Sequence, residues 1–266
     1  MSLFNLAGRI LDKKFDDAAR AHAPKLDRAD TGLPFNAQIG ALLEVPRAEF
    51  ALLDASLLTV PPSAQMPIVA VSRIHLDADD SLALFRLYTS TGRDRDGAGA
   101  SFLQVVCRAG HVDDIQDLAY YQHLLRQYPV TDEEQAPFRG EGYGLGDQTY
   151  EMADDQLTQI PHVAANLSAY IENSEDAVAF TRDTPGGNYV APFGADENRL
   201  DDAVGEKGSR RRMSFMPYIR DLEGGHQERL MISFDYVKTV DGRSSANCYV
   251  DYLAGLALDR NKVKVI

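Results

Sequence analysis

The chain is poor in the features that mark a membrane span, a disulfide framework or a common catalytic site. No window in its 266 residues approaches the ~18 uninterrupted apolar residues that a spanning helix needs, which excludes a helical integral membrane protein. Cysteine occurs twice, as Cys107 and Cys248. There is no CxxC pair and no Cys/His cluster at ligand spacing, so no metal is expected and the thiols read as buried and reduced. Basic side chains are the minority, 27 Lys and Arg against 40 Asp and Glu, for a net charge of -13. Nucleic acid is therefore excluded as a partner, and any anionic partner must meet a local basic patch. G-x-S-x-G, H-E-x-x-H and G-x-x-x-x-G-K-[ST] are all missing, so no cofactor is called for and the reading leans away from an enzyme. The segment Met1 to Leu11 has no basic stretch ahead of an apolar core and no small-residue cleavage site. It does not read as a signal peptide, and a cytoplasmic location is expected.

What is present divides into three textures. In residues 1–30 Leu3, Leu6, Ile10, Leu11, Phe15 and Ala18 recur at threes and fours, the spacing of an amphipathic helix. Six basic and five acidic groups share that segment, so a helix docked on its own or a sister chain is preferred to peripheral membrane contact through residues 3–20. Pro24 and the Asp27 to Pro34 stretch then read as a linker. From Ala37 to Arg108 short apolar runs are separated by turn residues, as in an antiparallel sheet. Ile115 to Leu125 fits either helix or strand, while Thr131-Asp132-Glu133-Glu134 has the form of a capping box and predicts a short helix.

Residues 153–208 carry eleven acidic and three basic side chains. They predict long surface connections, with strand candidates only at 169–171 and 177–180. Strand texture returns in Met213 to Arg220, Arg229 to Lys238, Asn247 to Tyr252 and Lys262 to Ile266, with Asp241-Gly242 as a hairpin turn. The predicted class is α+β: a predominantly antiparallel sheet, a few short helices and the N-terminal amphipathic helix. The predicted organisation is a helix and linker over 1–34, then one mainly-β region over 35–266, divisible at 152/153.

Polar residues inside apolar strands are the best candidates for a site, because burying an unpartnered charge is costly. Arg86, between Leu84 and Tyr88, and Gln104, between Phe102 and Val106, are such residues. Together with Asp113 and Asp114 they define a candidate site for a small anionic ligand, against the simpler reading of Arg86 as half of an internal ion pair with Glu44 or Asp113. Arg210-Arg211-Arg212 is the one strongly basic run. It reads as a clasp on the adjoining acidic segment, with an anionic partner as the alternative. The glycines from Gly140 to Gly146 read as a bend leading into a strand, and His75 to Asp80 as a solvated turn.

Taken in order, Gly40-Ala41-Leu42-Leu43-Glu44, Leu84-Phe85-Arg86-Leu87-Tyr88-Thr89, Phe102-Leu103-Gln104-Val105, Asp113-Asp114-Ile115, Gly146 to Tyr150, Met213 to Arg220, Glu228 to Ser233 and Val263-Lys264-Val265-Ile266 resemble the YjfK-like bacterial family over residues 35–266. The resemblance implies a cytoplasmic protein without assigned catalytic residues, from gene neighbourhoods of envelope-stress and membrane-associated proteins. Two features depart from the pattern: the acidic 153–208 segment, and Glu151-Met152-Ala153 where an Arg-Val-Trp-like motif belongs. The expected function is an interaction or adaptor protein with a protein partner in a membrane-associated system; the alternative is the ligand-binding or enzymatic site around Arg86.

Overall fold

In the computed structural model, residues 27–53, 57–92, 97–165, 167–171, 177–239 and 247–266 are described. The amphipathic pattern of residues 3–18 and the Asp241-Gly242 turn lie outside them. The strands are β1 (Leu42–Glu44), β2 (Gln65–Pro67), β3 (Ala70–Leu76), β4 (Leu82–Tyr88), β5 (Ser101–Arg108), β6 (His111–Gln127), β7 (Thr149–Ala153), β8 (Ala177–Arg182), β9 (Phe193–Leu200), β10 (Gly208–Asp221), β11 (Gln227–Thr239), β12 (Asn247–Ala257) and β13 (Lys264–Val265). The α-helices are short: α1 (Arg47–Leu53), α2 (Asp132–Gln135), α3 (Asp154–Leu157) and α4 (Pro161–Ala164). The predicted capping box is present on α2. Thr131 accepts from the Glu134 amide, and the Glu134 carboxylate accepts from the Thr131 amide.

Eight strands form a closed antiparallel barrel in the order β11-β12-β6-β5-β4-β3-β9-β10, with β10 returning to β11 through a ladder from Ser209↔Thr239 to Asp221↔Gln227. The α+β class expected from the sequence is therefore wrong, and the protein is mainly β, a barrel with short helices at its periphery. Two features account for the miss. Closure depends on β9, whose Phe-Gly-Ala-Asp-Glu-Asn-Arg-Leu sequence lacks an apolar face, and on the long β10–β11 pairing between segments whose partners no local pattern names. Ile115 to Leu125, ambiguous by periodicity, lies within the 17-residue β6.

The lumen is filled by apolar side chains, as in the usual small barrel, among them Phe102, Tyr121, Met231 and Leu253 and, separately, Ile74, Leu84, Ala195 and Met213, but it also holds a cluster of buried charges. The two larger apolar clusters lie on the outward face. Val71, Phe85, Leu87, Leu103, Val105, Leu118 and Tyr120 pack under residues 33–68, which carry α1, β1 and β2, with β13 from the C-terminal end completing a three-stranded sheet β13-β1-β2. On the opposite flank Met216, Tyr218, Leu230, Ile232, Val250 and Tyr252 pack under Met152, Leu157, Val163, Val178 and Phe180. Each flank thus supplies a core outside the barrel, and that burial removes the outward apolar surface from water.

An apolar exterior around a lumen that holds charges is also the pattern of a membrane barrel. Here the outward residues of β3, β9 and β10 include the exposed Arg73, His75, Asp196, Asn198, Arg210 and Arg212. A lipid belt cannot close across them, since each buried Arg would cost about 2–4 kcal/mol at the bilayer midplane. No helix among the described residues is long and apolar enough to cross a membrane.

Both cysteines are free thiols. Cys107 faces the first flank core, and burial, with the nearby Asp113 and Asp114 carboxylates, pushes its thiol up to about 11. Cys248 is half-buried. A maleimide reagent under native conditions is expected to modify Cys248 first and Cys107 only on the timescale of unfolding; equal rates would show that the first flank does not seal Cys107.

Candidate functional site

Strand alternation turns every second residue into the lumen, and it is there that the charged residues meet. Arg86 and Gln104 stand opposite each other on β4 and β5, and Arg86 Nε donates to Gln104 Oε1 at 3.2 Å. The Arg86 guanidinium lies over the Phe102 ring, 4.6 Å from its centroid, and reaches Glu197 on β9 at 3.5 Å. Arg86 is thus half of an internal ion pair, and its partner is Glu197 rather than Glu44 or Asp113. Glu197 is 1% exposed and accepts from Ser72 Oγ and Tyr88 OH, both at 2.6 Å. Arg211 on β10 adds a contact at 3.7 Å. Burial alone would raise the Glu197 carboxyl, but Arg86, Arg211 and the two hydroxyls outweigh it and hold it at about 2.

Across the lumen Asp251 on β12 receives a forked contact from Arg126, Nε and Nη2 both at 2.6 Å, and His123 Nε2 lies 3.0 Å away. His123 and Arg126 are three residues apart and would face opposite sides of a regular strand. The register between β6 and β12 shifts from Tyr252↔Leu125 to Leu253↔His123. The extra residue, Leu124, is a β-bulge that brings both side chains inward. These donors hold Asp251 at about 2 against its desolvation.

Arg211 links the two halves, lying 3.7 Å from Asp235 on β11 as well as from Glu197. Serine, histidine and aspartate coexist here without forming a nucleophilic relay, because Ser233 Oγ bonds to Asp235 and not to His123. The cavity among Arg86, His123, Arg211, Ser233, Asp235 and Asp251 measures about 10 Å3, room for one water. Among the described residues no group of three or more His, Cys, Asp or Glu side chains is placed to hold a metal ion.

The other sequence candidates go elsewhere. Asp113 is exposed near the β5–β6 turn, and Asp114 pairs there with Arg108 at 3.0 Å, so neither joins Arg86 and Gln104. The triple-arginine run lies on β10 and splits by alternation: Arg211 points into the lumen, while Arg210 and Arg212 point out. Arg212 bridges Asp77 and Asp196, the latter at 3.2 Å. Contacts of Arg211 with Glu197 and of Arg212 with Asp196 match the expected clasp on the acidic segment. Outside, Arg210 and Arg212 line an open groove of about 570 Å3 with Asp196, Asn198 and Tyr236.

The family model described as "Protein of unknown function (DUF2491)" matches residues 10–264. The chain belongs to this family. Searches of curated proteins and of solved structures return no match. The DUF2491 match runs through both flanks and all eight barrel strands, so the lumen and the groove both fall within it.

The lumen residues that sequence reasoning missed are Tyr88, His123, Arg126, Glu197, Arg199, Asp235 and Asp251. Asp235, in Met231 to Val237, and Asp251, in Cys248 to Ala257, carried the same signal that singled out Arg86: a lone charge in an apolar strand. Glu197 and Arg199 carried none, since β9 alternates charged with small or polar residues on both faces.

Proposed function

We propose that this DUF2491 protein is a non-enzymatic interaction protein, an adaptor for a membrane-associated or envelope-stress system, and that it docks its partner in the outer groove of β9, β10 and β11. The supporting observation is the split of Arg210-Arg211-Arg212. The inward arginine is committed to buried carboxylates in a lumen with room for one water, whereas the outward pair borders the open groove beside Tyr236, which is 40% exposed. Tyrosine and arginine are the side chains that most often dominate binding at protein interfaces. The likeness to YjfK-like proteins, the cytoplasmic location and the membrane link belong to the same proposal, supported by the short motifs and by the amphipathic spacing of residues 3–18. A small anionic ligand at Arg86 and Gln104 has less support, because those side chains already satisfy each other and Glu197.

A photocrosslinking side chain at position 236, in the full chain in its native cells, tests the docking surface. The expected result is one discrete adduct that falls at least about tenfold with Arg210→Glu, a loss of ~1.4 kcal/mol in affinity. The melting temperature should barely move, because exposed ionic contacts contribute under about 1 kcal/mol. Adducts indifferent to Arg210→Glu, or none, would refute the groove.

A further inference from the structure

The three lumen carboxylates are unequally supported. Glu197 has two hydroxyl donors and two arginines, and Asp251 has the forked Arg126 and His123. Asp235, 2% exposed, has the Ser233 hydroxyl and an Arg211 contact of 3.7 Å that is too long for a hydrogen bond. No N–H donates to it among the described residues. Asp251 stands opposite Ser233 in the β11–β12 ladder, which puts it diagonal to Asp235 on the same inward face. Both carboxylates line the cavity that has room for one water.

We propose that Asp235 is a proton-binding site inside the barrel, occupied in mildly acidic solution and emptied at neutral pH, so that the fold senses acidity from within. The proton comes from solvent onto Asp235 Oδ2, leaving Oδ1 to accept from Ser233 and giving the side chain an O–H to donate into the cavity. The neighbouring groups are arranged for this. From β12, Asp251 and the un-ionised Tyr249 offer no compensating positive charge, and Glu197 from β9 adds a second negative one. The cations are engaged elsewhere: Arg86 of β4 with Glu197 and Gln104, Arg126 and His123 of β6 with Asp251, Arg199 of β9 with Asp201. Tyr88 of β4 donates to Glu197. Among the described residues only the Ser233 hydroxyl and Arg211 of β10, the latter from 3.7 Å, favour the Asp235 anion. Burial, followed by the Asp251 charge, accordingly pushes the carboxyl up to about 6 from its ordinary 3.8.

A carboxyl whose native value is raised binds its proton more tightly folded than unfolded. Its contribution to stability is therefore greatest near pH 4 and is lost as pH rises through about 6. Glu197 and Asp251, held at about 2, stay ionised in wild type and variant alike across pH 4 to 7, so the difference reports Asp235. The test is the folding equilibrium constant of wild type and Asp235→Asn from pH 4 to pH 7. The wild-type constant is expected to fall about fiftyfold relative to the variant over that range. A ratio independent of pH would overturn the proposal, since it would mean that Arg211 keeps Asp235 ionised throughout. Should Asp235→Asn fail to fold, the carboxyl carbon of Asp235 in 13C-labelled wild type gives the answer directly: a midpoint near 6 supports the site, and one below about 4 refutes it.

Discussion

Replacing Glu197 with alanine is expected to cost about 3–5 kcal/mol of unfolding free energy, the range for breaking a buried ion pair by removing one partner. The change leaves Arg86 and Arg211 facing each other across a lumen with room for one water, and it removes the acceptor of Ser72 and Tyr88. Proton linkage gives a consistent magnitude. A carboxyl held at about 2 rather than 4.5 contributes about 3 kcal/mol. Because its native value is lowered, that contribution is present above pH 4.5 and is lost as pH falls toward 2. Urea unfolding across pH 2 to 7 should therefore show Glu197→Ala losing most at neutral pH and converging with wild type in acid. Arg86→Ala should cost a similar amount, and the double variant should cost clearly less than the sum, since the two side chains share one network. Additive losses would show that Arg86 and Glu197 stabilise the barrel independently.

The second large effect is expected on the opposite side of the wall. Tyr218 of β10 points outward, is fully buried, packs on Tyr150 of β7 with ring centroids 5.7 Å apart, and accepts the Gly146 N–H at 2.9 Å. Gly146 has φ of 113°, a region that favours glycine, and the hydroxyl supports that strained loop. Tyr218→Ala should cost about 3–5 kcal/mol through the cavity it opens, and limited proteolysis should then cut first within residues 136–190. Tyr218→Phe keeps the ring and strands one amide, so about 1–3 kcal/mol is expected. If Tyr218→Ala left both stability and cleavage pattern unchanged, the flank would not be held by this contact.

Together the two substitutions separate the two cores of the molecule. The lumen combines buried ion pairs with apolar side chains such as Phe102, Tyr121, Met231 and Leu253, while the larger apolar cores lie outside it, under the two flanks. This explains why the interior is a poor candidate for a ligand pocket despite its concentration of titratable groups. Most of the charges are paired with one another, and little space is left.

Local chemistry by itself determined a good deal. The Asp-rich turn between β3 and β4, the run of strand-length apolar segments, the capping box at Thr131 and the misfit of Arg86 in an apolar strand all follow from nearest-neighbour preferences that act over a few residues. The pairing of Arg86 with a carboxylate also followed, because a guanidinium stays charged and must find acceptors when buried. What only the tertiary structure decided is which carboxylate that is, and which side of each strand is inside. Glu197 lies 111 positions from Arg86 in the chain and on a strand with no apolar face, so no spacing rule connects them. Alternation says that Arg211 faces away from Arg210 and Arg212, but not which side is the lumen. That depends on barrel closure and on the flanks that cover the outer wall, so an apolar face that reads as the core of a sheet became the exterior of a barrel, and the face that mixes apolar with charged residues became the interior.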